Sequence, residues 1–171
     1  MHTNTQLHAL ESELAEAQAR LHRVPVDSWQ TRPAPGRWSA GEHVVHLTLT
    51  TRAFLPLLEE ALRNAPAGNG PYKRDFIGWM LYKVIEPPAR IKVKTTAQFE
   101  PPQVDRETAF RDFDAAQDQL SDFLRRADGR ALDKVKIVSP FDGRVRYSAW
   151  SALRILAAHQ RRHLWIAGRG I

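Results

Sequence analysis

The sequence has 171 residues, with 25 Lys and Arg against 19 Asp and Glu for a formal charge of +6, and it contains seven His, eleven Pro and no Cys. That length suits one domain, taken as residues 1–171, and an apolar share of 43% with 26% charged fits a folded chain rather than a disordered one. Without Cys there are no disulfides, thiolate metal sites, iron–sulfur clusters or cysteine nucleophiles, so any metal has to be held by His, carboxylate, carbonyl or water.

Leu7, Leu10, Leu14, Ala17 and Leu21 step by three and four, which predicts a first helix over about Thr5 to His22. The following VPVDSWQTRPAPGRW carries three prolines and a glycine and cannot continue it. Ser39 restarts a helix, with Glu42 three residues on as a capping box and Trp38 placed to staple against position 43. This second helix reads to about Asn64 along a stripe of Val44, Leu47, Thr51, Leu55, Leu58 and Leu62, with Pro56 inside it predicting a kink. Asp75 to Ile85 reads as a short helix ended by Pro87-Pro88, and ARIKVKTTAQFEPP as an extended crossover on the surface. Ala109, Phe113, Ala116, Leu120 and Phe123 predict a further helix over about Arg106 to Arg126. DKVKIVSPFDGRVRY is extended with a turn at Asp142-Gly143, and a last helix follows over about Ser148 to Ala167. Four long helices, two of them joined by a crossover, define an all-α four-helix bundle.

At 100° per residue the last helix lines up Ala149, Ala152, Leu156, His159, His163 and Ile166 on one face. Arg154, Arg161 and Arg162 fall on or near the opposite side, as does Trp165, which is expected to pack under a loop or mark a dimer contact. His159 and His163 are one turn apart, a separation at which two imidazoles converge on one ion, and they sit mid-arc among apolar residues, where each ring nitrogen needs a partner. The intervening HQRRH lacks the Glu of the metalloprotease HExxH helix, which disfavours a peptidase of that type. A third ligand has to come from elsewhere, and the second helix offers His43 and His46, about 60° apart on its apolar side. Periodicity points to His43 and the staple gives His43 a packing role instead, so pattern alone leaves that choice open. His2, His8 and His22 lie at the chain start or on the polar side of the first helix and are expected to be solvent-exposed.

These segments resemble a known group. GRWSAGEHVVHL resembles the first signature of the DinB-like superfamily, which includes the YfiT-type metal-dependent hydrolases and is unrelated to the DNA polymerase sharing the DinB name. RIKVKTTAQFEPP is similar to its crossover, and SPFDGRVRYSAWSALRILAAHQRRHLWI to its closing helix with His-x3-His. The resemblance spans about Trp38 to Ile166. It implies a four-helix bundle whose metal is held by one His of the second helix and two of the last. By register from Trp38 those fall on His46, His159 and His163. Members often carry Gln three residues after the last His, where this chain has Ile166 and so lacks that polar group.

Three His with an open position describe a catalytic rather than a closed structural site. The expected cofactor is a divalent metal ion, zinc first, with nickel or iron as alternatives, since all-imidazole sites suit each of them. The expected partner is a small-molecule substrate, with a low-molecular-weight thiol as a candidate: hydrolysis if the metal activates water, transfer of sulfur if it activates a thiolate. The competing class is a non-catalytic bundle that stores metal or a small ligand, such as a stress-response protein. Imidazole ligands must be neutral, so metal affinity is expected to weaken as pH falls through about 6.5. Basic residues are scattered beside acids, which argues against a specific nucleic-acid face, and no apolar run approaches the ~20 residues of a membrane span. With no signal-peptide pattern at the start, the expected location is cytoplasmic, and a homodimer through bundle surfaces is compatible with the pattern.

Overall fold

The structure is a computed structural model that describes residues 3–88 and 95–167. Its helices are α1 (Thr5–His22), α2 (Ala40–Asn64), α3 (Phe76–Ile85), α4 (Arg106–Arg126) and α5 (Ala149–Ala167), with a hairpin of β1 (Lys136–Val138) and β2 (Arg146–Ser148) leading directly into α5. The fold is therefore all-α, as the periodicity dictates. α2 packs along α4 and α5, and α1 along α5 and α4, so that α1, α5, α2 and α4 form the four-helix bundle. α3 lies outside it, against α5.

Helix starts are set by local chemistry. The Asn4 side chain accepts from the N–H groups of Gln6 and Leu7, and the Asp105 side chain from that of Thr108. At α2 the capping box is complete: Ser39 Oγ accepts from Glu42 N at 3.2 Å and Glu42 Oε2 accepts from Ser39 N at 2.8 Å. Gly41, one residue into α2, has no side chain because Trp29 lies on it; a Cβ there would meet the indole at 2.7 Å. Pro56 sits within an α2 that runs on to Asn64.

Two apolar clusters hold the bundle. The larger joins Leu7, Leu10, Leu58, Phe123, Trp150 and Leu153, and the smaller joins Leu21, Trp29, Val44, Leu47, Phe110 and Phe113 at the other end. The β1–β2 pairing, with Ile137 opposite Tyr147, buries both side chains and sets the register of the turn that follows β1. There Arg144 N donates to Asp142 Oδ1 at 3.0 Å, the Asx geometry expected at Asp142-Gly143.

One expectation changes. The crossover is not simply a surface strand: residues 89–94 lie outside the described residues, but Ala97–Phe99 form a 3-10 turn that buries Phe99 beside α2. The arginine side of α5 is covered by neighbouring elements. Arg154 pairs with Glu13 of α1 at 2.8 Å, Arg161 bonds Glu86 and the Tyr82 hydroxyl beside it, and Arg162 is buried, donating to Val84 O at 3.2 Å. α1 and α3 cover this side because their carboxylates and free carbonyls satisfy the guanidinium groups, whose aliphatic stems pack as apolar surface. Trp165 is half-buried on the same helix.

Candidate metal centre

α2 and α5 face each other at the end of the bundle opposite the larger core, bringing His43 and His46 against His159 and His163. His46 Nε2 lies 3.3 Å from His159 Nε2, and His159 Nε2 lies 3.0 Å from His163 Nε2. One nitrogen from each of His46, His159 and His163 thus converges on a common point, with these atoms within 4.8 Å of one another. Metal–imidazole bonds of about 2.0–2.1 Å in a tetrahedral site separate neighbouring nitrogens by about 3.3–3.4 Å. Two of the three spacings come close to that edge length and the third lies within 4.8 Å, so the three-His cluster could hold a metal ion.

The outer ring nitrogens decide which atom faces inward. His46 Nδ1 lies 2.8 Å from Phe99 O. A carbonyl only accepts, so His46 carries its proton on Nδ1 and turns the Nε2 lone pair into the cluster. His163 Nδ1 lies 2.8 Å from His43 Nδ1. His159 Nδ1 is cut off from solvent with no hydrogen-bond partner, although the residue as a whole is only half-buried.

The electrostatics keep these rings neutral. Burial pushes His43 down to about 4, with the neighbouring His46 adding to the effect. Burial also lowers His46, partly offset by its bond to Phe99 O. His159 and His163 fall well below the ordinary histidine value, through burial first and then the adjoining imidazoles and Arg162. Neutral imidazoles are the form that binds metal. Glu42, the carboxylate beside His43 in sequence, is committed elsewhere: its oxygens accept from Arg32 Nε at 2.9 Å and from Ser39 N.

Aromatic rings wall the cluster. Trp38 lies 4.8 Å from the His46 ring and 6.0 Å from that of His163, centroid to centroid, and 5.5 Å from His43, the contact the staple pattern predicts. Phe99 and Phe141 pack on each other at 4.9 Å, Phe99 against His46 and Phe141 against His159. Sequence reasoning missed three things: Trp38 as a wall over several histidines, Phe99 as both wall and acceptor, and the bond from His43 to His163. Trp38 gave a signal through its place before Ser39; the other two depend on contacts between distant segments. His22, expected to face solvent, is exposed but engaged, with Nε2 2.8 Å from Asp114 Oδ1 and its ring stacked on Phe110. It lies apart from the cluster.

A helical bundle that gathers three neutral imidazoles between aromatic rings defines the class: an α-helical protein with a three-His cluster that could hold a metal ion. The DinB superfamily model matches residues 9–167, from within α1 to the end of α5. The chain therefore belongs to the DinB superfamily. No curated protein and no solved structure matches it.

Proposed function

We propose that this protein is a metal-dependent enzyme acting on a small molecule, as a hydrolase or a thiol-dependent S-transferase, with His46, His159 and His163 as ligands of one divalent ion, zinc first and nickel or iron as alternatives. The observation that carries the reading is the convergence of three Nε2 atoms at 3.0 and 3.3 Å, one of them with its tautomer set by Phe99 O. When bound, such an ion supplies Lewis acidity that lowers the pKa of a coordinated water or thiol. The remaining work falls to the chain. His46 is held through Nδ1, while Trp38, Phe99 and Phe141 pack as apolar rings around the cluster. Glu42 is held by Arg32 and Ser39 and is not free to act as a base.

The partner reading is a small molecule without specific nucleic-acid binding. In its support, Arg32, Arg125, Arg126, Arg144, Arg154 and Arg161 each have a carboxylate partner, so these arginines are interspersed with acids rather than gathered into one unpaired basic face. No helix among the described residues is long and apolar enough to cross a membrane.

The test is metal analysis of protein purified without an affinity tag, followed by turnover of a thiol plus an electrophile and, separately, of simple esters and amides. One equivalent of metal with metal-dependent turnover is expected. Metal without turnover in any of these favours the non-catalytic storage bundle. Protein that arrives metal-free from several hosts and takes up none on titration overturns the reading.

A further inference from the structure

Resting on the metal reading above, we infer that His43, which is not one of the three converging ligands, is a positioning residue: its Nδ1 accepts the Nδ1–H of His163 and so holds the His163 ring in the tautomer that presents Nε2 to the ion. The two Nδ1 atoms are 2.8 Å apart, and both residues are buried, at 4% and 7% exposure. One of the two nitrogens must donate and the other accept. If His163 binds metal through Nε2, its remaining proton sits on Nδ1, which makes His163 the donor and leaves His43 protonated on Nε2.

Comparison of the ligands supports this role. His46 meets the same requirement through the Phe99 carbonyl, so His43 does for His163 what the backbone of a distant segment does for His46. His159 has no such partner on its Nδ1, so two of the three ligands are held from behind and one is not. His43 and His46 lie one turn apart on α2, so one helix provides a ligand and the support for a ligand carried by α5. The simpler alternative is that His43 only packs against Trp38, whose ring it meets edge-on at 5.5 Å. That alternative requires a ring or apolar bulk at position 43 but no acceptor.

Asn and Leu have nearly the same shape, and Asn Oδ1 can stand in for an imidazole Nδ1 acceptor while Leu cannot. The experiment loads tag-free full-length wild type, His43→Leu, His43→Asn and His163→Ala with cobalt(II). It measures affinity by competition with a chromophoric chelator and ligand geometry by visible absorption. His43→Leu should bind about 10–100-fold more weakly than wild type, with an altered cobalt spectrum, and His43→Asn should recover most of both. His163→Ala should lose stoichiometric binding. Equal affinity and spectrum for wild type and His43→Leu overturn the inference while leaving the metal reading intact, as do equal losses in His43→Leu and His43→Asn. Failure of wild type to bind cobalt overturns the metal reading and this inference with it. A measurement without variants guards against misfolding: nitrogen-15 spectra of the zinc-loaded wild type should show an exchange-protected proton on His163 Nδ1. A bare nitrogen there overturns the inference.

Discussion

The two halves of α5 are built on different principles. From Ala149 to Ala158 nearly every residue is buried and most are Ala, Leu or Ile, packed against α1, α2 and the hairpin. From His159 onward the buried residues are Gln160, Arg162 and His163, which make directed contacts with Gln117, Val84 O and His43 among others. The first half is held mainly by area removed from water, which depends on size and is indifferent to direction, with Ser151, bonded to Asp75 at 2.6 Å, and Arg154, paired with Glu13, as its directed contacts. The second is held by directed bonds, where a change of one atom leaves a buried group unsatisfied. A helix can therefore be anchored by one half and present chemistry from the other.

Removing a ligand tests that division most sharply. His46→Ala, His159→Ala and His163→Ala should each abolish stoichiometric metal binding, read as metal content per folded protein, because two imidazoles make a poor site. Their helical circular dichroism should stay native, since the packed half of α5 is untouched; loss of helix would break the comparison. In that packed half, Leu153→Ala should cost about 2–5 kcal/mol in denaturant unfolding while metal content per folded molecule stays at wild type.

Between about pH 6.5 and 4, acid should act mainly on the histidine end. His43 falls to about 4 in the fold against about 6.5 unfolded, so between those values the unfolded chain binds more protons than the native one. Stability of the chelator-stripped protein should therefore be greatest above pH 6.5 and fall as pH drops toward 4, by about 1.4 kcal/mol per pH unit for each such group. The depressed values of His46, His159 and His163 also move the acid loss of metal below the pH of about 6.5 that free histidine suggests. Stability that is flat over this window would contradict the neutral cluster.

The smallest effect concerns Gln117 and Gln160, whose side-chain amides bond each other twice at 3.0 Å in a buried setting. Gln117→Leu should cost about 1–3 kcal/mol by stranding Gln160, and adding Gln160→Leu should recover most of it. A double variant worse than either single one would show that this pair is not an isolated unit.

Much of this protein was determined by its sequence alone. The apolar steps and the Ser39 capping box placed α1, α2 and α4 at the bounds observed, because helical period and N-capping are local physics carried by residues a turn apart. His159 and His163 were legible for the same reason, lying four residues apart on one face. Periodicity alone could not separate His43 from His46, since both lie on the inward side of α2; the family register favoured His46, and the distances place its Nε2 in the cluster and His43 behind His163. Tertiary structure alone decided that arrangement, together with the burial of Arg162 and the use of Phe99 O. Each depends on where two segments 50 or more residues apart come to rest, and hydrogen bonds across such gaps are set by packing of the whole bundle rather than by any local pattern.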